Sequence, residues 1–214
     1  MTWENFLILL SGVPYTLAVT FGALLIGAVL GFPLMLLRTS KWAAARFAAI
    51  LLIAVVRSVP PIVWLFLIFF AIGSGLFPID PLPAALIGFG LIATVNLAEI
   101  YRGGMMAVHS GQAEAAAVLN LTRWQAFSDI IAPQMFRVSI PVIVTYAIGL
   151  LKDAAIASTI GVPDLSFQGR YLTELTYEGL SIMGMVGLIY IAISLPVAGL
   201  ARIANARLKR AVAL

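Results

Sequence analysis

Cysteine is absent from this sequence of 214 residues, and charged residues are scarce. Without cysteine the chain can form neither disulfides nor thiolate metal sites. Charged residues make up 10% of the chain and hydrophobic residues 62%, whereas soluble domains carry about 25% charged residues. The composition therefore predicts an integral membrane protein. We expect an all-α fold with a single transmembrane domain over residues 1–214 and no soluble domain.

Groups that catalysis requires are also missing. The single histidine, His109, has no second metal-type ligand at a suitable spacing, and no serine or aspartate has a partner base for a nucleophilic triad. No phosphate-binding GxxxxGK[ST] loop is present, so this chain does not hydrolyse ATP by itself. The sequence predicts a protein that is not an enzyme, with no metal site, no catalytic residue and no cofactor of its own.

Five apolar runs are long enough to cross a bilayer, which takes roughly 20 residues for about 30 Å of hydrocarbon. We place the spans at about residues 13–37, 45–72, 83–108, 139–160 and 180–203. The second is broken by Arg57-Ser58-Val59-Pro60-Pro61, and the prolines lack amide donors, which suits backbone that lines a cavity. Small residues permit close packing of membrane helices. We expect such packing at two glycine pairs: Gly27 with Gly31, and Gly184 with Gly187.

Basic residues lie between the apolar runs, where they report topology rather than nucleic-acid binding. One side of the predicted bundle holds Arg38, Lys41, Arg46, Arg102, Arg123, Arg137 and the C-terminal Arg202, Arg207, Lys209 and Arg210. The other side has only Arg170, in the loop 161–179, and no basic residue in the loop 73–82. This pattern predicts an outer N-terminus and a cytoplasmic C-terminus. The apolar residues of the loop 161–179 recur at helical spacing, so we expect a short amphipathic helix there.

The stretch from Gly111 to Pro133 is a polar island that this orientation places in the cytoplasm. Helix formers run from Gln112 to Leu119, and Glu114 in the first turn is favoured by the helix dipole. Asn120 can end this helix in the left-handed conformation. The helix is slim because it contains four alanines, so it could enter a groove of another protein; a generic cytoplasmic hairpin is the alternative.

A second helix is expected after Thr122, which forms a capping box with Gln125. Its apolar face is formed by Trp124, Phe127 and Ile131. A helix of this kind lies in the membrane interface. We expect Pro133 to end it.

The order Gly-Gln-x-Glu-Ala-Ala from Gly111, followed by Ile-x-Pro-Gln ending at Gln134, resembles the EAA loop of bacterial ABC importer permeases. Further similarities to the polar amino-acid branch occur in the same order along the chain: Tyr15-Thr16-Leu17, Arg57 to Pro60, Ala98 to Gly104, Leu151-Lys152-Asp153 and Ile160-Gly161-Val162. Ala132 replaces the usual leucine before Pro133, and Asn120 stands at the glycine of the family.

The resemblance implies a type I importer fold in the bacterial inner membrane. It implies two permease subunits, two cytoplasmic ATPase subunits that hold ATP and Mg, and an extracytoplasmic substrate-binding protein. The EAA helix of the family seats in the ATPase groove. The coupling residues implied here are Gly111, Gln112, Glu114, Ala115, Ala116 and Asn120.

Four charged residues, Arg57, Glu99, Lys152 and Asp153, lie within or near the apolar spans. Such residues are costly in a bilayer and usually face a cavity or a partner. An amino acid would need a cation for its carboxylate, which Arg57 or Lys152 could supply, and an anion for its ammonium, which Asp153 could supply. The alternative is that the charges pair with each other or with Glu99 and hold the bundle together. Lys152 and Asp153 point about 100° apart on a helix, so both cannot face one point.

Two departures from the family pattern concern the substrate site. Ala54 stands where the family usually has a glutamate, and Ala154 replaces the usual threonine. We therefore expect a heterodimer in which a second, different permease completes the site. The predicted function is a permease subunit for amino acids or similar solutes, and the rival is a small ion-coupled secondary transporter. That rival class often shows inverted repeats, which this sequence lacks.

Overall fold

A computed structural model of the chain describes residues 2–73 and 78–212. Ten α-helices occur in these residues: α1 Trp3–Ser11, α2 Val13–Arg38, α3 Ala43–Ser58, α4 Pro61–Phe66, α5 Pro81–Met106, α6 Ser110–Val118, α7 Arg123–Gln125, α8 Ala132–Asp153, α9 Leu165–Thr176 and α10 Gly179–Val212. Helical turns of other pitch extend three of them: π-type at Leu67–Ile72 and Ala126–Ile131, and 3₁₀ at Ala154–Ile160. The predicted all-α class is confirmed.

Four continuous helical segments are long and apolar enough to cross a membrane: Trp3–Arg38, Pro81–Met106, Arg123–Ile160 and Gly179–Pro196. A fifth candidate is the pair Ala43–Ser58 and Pro61–Ile72, which is bent by 100°. Each predicted span overlaps one of these segments. The predicted loop 73–82 falls partly on residues 74–77, which lie outside the described residues.

Two glycines allow the close approach of α2 and α5. A Cβ added to Gly27 would lie 2.6 Å from the Ala93 Cβ, and one added to Gly31 would lie 3.0 Å from the Ala98 nitrogen. The expected packing at this pair is therefore confirmed. The expectation for Gly184 and Gly187 is wrong within this chain, because a Cβ at either position would meet nothing within 4 Å.

The packed face of α10 explains that difference. Ile182, Val186 and Ile189 of α10 are buried against Leu9 of α1 and the buried leucines of α9. These residues recur at spacings of four and three, which defines one face of a helix. Gly184 and Gly187 lie off that face.

The predicted amphipathic helix in the loop 161–179 is present as α9, and polar contacts fix it to the start of the bundle. Asp164 caps α9 by accepting a hydrogen bond from the Phe167 N–H at 2.8 Å. The next residue, Leu165, donates its N–H to the Thr16 hydroxyl of α2 at 3.1 Å. Gly12 is required here, since a Cβ on it would lie 2.6 Å from the Asp164 carbonyl.

The polar island follows the predicted capping chemistry. Asn120 adopts a left-handed conformation with φ of 54°. Thr122 and Gln125 form the reciprocal capping box. The side chain of His109 caps α6, with Nδ1 accepting the Gly111 N–H at 3.0 Å.

The expectation that Pro133 ends the second helix is wrong. The chain stays helical from Arg123 through Ile160. Pro133 lies in the first turn of α8, directly after the π-type turn Ala126–Ile131. In a regular α-helix a proline ring clashes with the carbonyl four residues earlier. The wider turn before Pro133 is a common way for a helix to absorb such a disturbance.

Candidate functional site

A cavity of about 280 Å³ brings together Arg57 and Asp153, two of the four charged residues predicted from the sequence. Arg57 lies in the last turn of α3, and Asp153 is the last residue of α8. Asn96 of α5 and Tyr146 of α8 also line the cavity. A cation and an anion therefore line one cavity, together with an amide and a phenol that can form hydrogen bonds.

The break in the second span positions Arg57. Pro60 has no N–H, so it cannot donate to the Val56 carbonyl, its partner in a regular helix. The indole Nε1 of Trp64 donates to that carbonyl instead, at 3.1 Å. Pro61 likewise cannot donate to the carbonyl of Arg57. The double proline thus ends α3 at the cavity, and Trp64 ties the two halves of the bent span together.

Lys152 and Asp153 point to different places, as adjacent residues of a helix do. Asp153 lines the cavity with Arg57. Lys152 lines a separate cavity of about 250 Å³ beside α10, together with Tyr190 and Ser194. Within residues 2–73 and 78–212, none of Arg57, Lys152 and Asp153 has an ion-pair partner within 4 Å.

Glu99 differs from the other three charged residues because it forms ion pairs. Its Oε2 accepts a hydrogen bond from Arg102 Nε at 2.9 Å and lies 2.7 Å from Arg102 NH2. Its Oε1 lies 3.4 Å from Nε of Arg38. These contacts connect the ends of α2 and α5. A structural role of the kind left open in the sequence analysis therefore applies to Glu99.

Asn96 and Tyr146 were missed by the sequence analysis. Asn96 Nδ2 donates to the Ile92 carbonyl at 2.8 Å, which holds the amide at the cavity wall. The Tyr146 hydroxyl is buried and has no hydrogen-bond partner among the described residues. A signal for Asn96 was present, because an amide within an apolar run is costly unless it is bonded.

The predicted coupling residues divide into exposed and buried positions. Glu114 and Ala115 are exposed on α6. At the C-terminal end of this helix, Val118 and Leu119 are 82% and 68% exposed, so two apolar side chains are presented outward. Ala116 is only 1% exposed. The prediction that Ala116 meets an ATPase is corrected in this respect, because its side chain packs within its own chain.

Contacts within the chain support α6 from below. Gln112 accepts a hydrogen bond from the Gln134 amide of α8 at 3.3 Å. The ring of Phe127, in the π-type turn, lies 6.2 Å from the ring of Phe32 in α2. Aromatic rings at this separation attract each other. Phe127 thus links the polar island to the bundle.

Asp164 has an unusual electrostatic environment at the opposite end of the molecule. Its side chain is fully buried, and this burial raises the pKa of the carboxyl to about 7. The N–H groups of Phe167 and Ser166 and the charge of Arg170 act in the opposite direction. The Oδ2 atom has no hydrogen-bond partner among the described residues.

Comparisons with known proteins agree with this architecture. Residues 23–210 match the family described as "binding-protein-dependent transport system inner membrane component". A probable amino-acid ABC transporter permease of Bacillus subtilis is 34% identical over 190 residues, which cover 89% of this chain and 84% of that protein. The glutamine transport system permease of Escherichia coli is 30% identical over 213 residues, covering 97% and 95%.

Solved structures show the same fold. An amino acid ABC transporter crystallised with histidines is 29% identical, with a TM-score of 0.90 and coverage of 95% of both chains. An inward-facing structure of the MetNI methionine ABC transporter is 21% identical, with a TM-score of 0.82 and coverage of 96% of this chain and 99% of that one. The chain therefore belongs to the family of inner-membrane components of binding-protein-dependent transport systems, and it is a multi-pass membrane permease of the ABC type.

Proposed function

We propose that this permease carries amino acids or amino-acid-like solutes through the cavity between Arg57 and Asp153. The observation that carries the proposal is the presence of a cation and an anion on one cavity wall with no ion-pair partner among the described residues. Every amino acid has a carboxylate and an ammonium at fixed separation. Arg57 can bind the carboxylate and Asp153 the ammonium, each through a charge-assisted hydrogen bond.

The size of the cavity and the relatives support a small solute. About 280 Å³ lies just below the roughly 300–1,000 Å³ of pockets for larger organic ligands. Relatives named for glutamine, for glutamate and aspartate, and for cystine transport share the family. Membership of a binding-protein-dependent family also argues against the ion-coupled secondary transporter.

A second permease subunit covers the cavity in this proposal. Arg57 and Asp153 are both exposed in the isolated chain, so the cavity is open on one side. Charges within a membrane are tolerated when they face a cavity or a partner. We propose a heterodimer, because Ala54 and Ala154 leave this subunit without two polar groups that the family pattern would supply.

The energy for transport comes from partner subunits in this proposal. Two cytoplasmic ATPases hold ATP and Mg, and α6 docks to them through the exposed side of Glu114 and Ala115 and the apolar end at Val118 and Leu119. An extracytoplasmic binding protein delivers the solute. The inner bacterial membrane, with the N-terminus outside and the C-terminus in the cytoplasm, is the proposed location.

Uptake by the complete transporter in proteoliposomes tests the substrate site. Asp153→Asn keeps the shape of the side chain and removes the charge, so we expect at least a tenfold loss of ATP-driven amino-acid uptake with normal assembly. Lys152→Gln is the matched comparison, because the adjacent side chain lines another cavity. We expect it to lose far less. Equal losses in the two variants, or impaired assembly as the main defect of Asp153→Asn, would contradict the site.

A further inference from the structure

The cavity that holds Arg57 and Asp153 has a neighbour. A second cavity, of about 410 Å³, is lined by Glu99, Gly103 and Val142 among others. Three residues line both cavities: Arg57, Asn96 and Tyr146. These three side chains therefore stand where the two spaces meet.

The order of residues on α5 shows that the cavities are stacked along the bundle. Phe89 lines the first cavity, Asn96 lines both, and Gly103 lines the second. At 1.5 Å per residue, the 14 residues from Phe89 to Gly103 span about 21 Å. The second cavity is therefore nearer the end of α5 that leads into the polar island.

The order on α8 is reversed, as expected for a helix that runs in the opposite direction. Val142 lines the second cavity, Tyr146 both, and Asp153 the first. Both helices thus place the shared residues at the same level between the two spaces. A solute that leaves the first cavity toward the polar island must pass this level.

Tyr146 is the residue at this level whose polar group is least committed. Asn96 is held by its bond to the Ile92 carbonyl. The Tyr146 hydroxyl, by contrast, is buried without a hydrogen-bond partner among the described residues. Leaving a buried hydroxyl unbonded is unfavourable. The ring therefore loses no hydrogen bond when it turns away, and a passing solute can offer one.

We propose that Tyr146, with Asn96 and Arg57, forms a gate between the two cavities, and that the Tyr146 ring is its moving part. This inference rests on the proposed transport function. An importer driven by ATP must keep its two cavities from forming one open channel, because a continuous channel would let solute leak back. A bulky phenol at the level shared by both cavities closes the path. Rotation of the ring opens it for a solute bound at Arg57.

The absence of cysteine makes the gate testable by thiol labelling. Val142→Cys places a single thiol in the second cavity, at a side chain that is 49% exposed. A membrane-impermeant methanethiosulfonate reagent is added from the outer side of sealed vesicles that contain the complete transporter. With Tyr146 present we expect no labelling from this side. With Tyr146→Ala added, we expect labelling at least tenfold faster.

Tyr171→Ala is the matched control, since it removes an exposed tyrosine of α9 that lines neither cavity. It should leave the labelling rate unchanged. If Tyr146→Ala does not assemble, Tyr146→Leu removes the ring while keeping hydrocarbon bulk, and the same acceleration is expected. Rapid outer labelling of Val142→Cys with Tyr146 intact would overturn the gate, and so would an unchanged rate after removal of the ring.

Failure of the gate and failure of the proposed function give different results. Labelling reads access to the second cavity without requiring transport. A transporter with the wild-type chain that takes up no amino acid would refute the substrate class but leave the labelling pattern intact. Normal uptake together with outer access to Val142→Cys would refute the gate alone.

Discussion

The contact of α2 with α5 at Gly27 gives a quantitative prediction. In Gly27→Ala the new Cβ would lie 2.6 Å from the Ala93 Cβ and 2.7 Å from the Ala93 carbonyl carbon. The optimum for two carbon atoms is about 3.5–4.0 Å. Neither neighbour is the flexible end of a long side chain, so the helices themselves must separate by roughly 1 Å.

That separation sets the expected size of the effect. A gap of about 1 Å forfeits a quarter to a half of the dispersion attraction of the affected contacts. Overpacking of a well-packed core typically costs about 1–3 kcal/mol. Replacing glycine by alanine also favours a helix by up to about 1 kcal/mol. Gly184→Ala in α10 has this gain without any overlap, because nothing lies within 4 Å of its Cβ position.

Unfolding of the purified chain in mixed detergent micelles, followed by circular dichroism, measures the difference between the two variants. We expect Gly27→Ala to be less stable than Gly184→Ala by about 1–3 kcal/mol. Adding Ala93→Gly should restore part of the loss, because it removes the Cβ but leaves the backbone carbon in place. A difference within about 0.5 kcal/mol, the range of ordinary surface substitutions, would show that α2 and α5 do not pack at Gly27.

Two further predictions concern the ends of the molecule. Glu114→Arg reverses an exposed charge on α6, so we expect loss of binding-protein-stimulated ATP hydrolysis with normal membrane insertion, while Glu174→Arg on α9 serves as control; unchanged hydrolysis in Glu114→Arg would reject the docking role. Burial raises the pKa of Asp164 from 3.8 to about 7, so the folded state retains a proton that the unfolded state releases. The stability due to this proton is complete below about pH 4 and is lost as the pH rises through 7. Asp164→Asn should flatten the thermal stability of the chain across that interval, and an unaltered slope would show that Asp164 ionises normally.

Local chemistry in the sequence was sufficient for most of the fold. Long apolar runs separated by basic loops predicted the spans, because a bilayer accepts few other solutions. Asn120 and the pair Thr122 with Gln125 predicted the end of one helix and the start of the next, since caps depend on neighbouring residues alone. The same local reasoning failed at Pro133, where a π-type turn lets the helix continue.

Only the tertiary structure decided which charges share a cavity. Arg57 and Asp153 are 96 positions apart in the sequence, and their meeting depends on the 100° bend of the second span and on the packing of α8. Spacing along a helix showed that Lys152 and Asp153 diverge, but not which of them joins Arg57. Asn96 and Tyr146 were overlooked because their importance comes from sharing a level between two cavities. Helical periodicity assigns residues to faces of one helix, whereas a cavity exists only after several helices have packed.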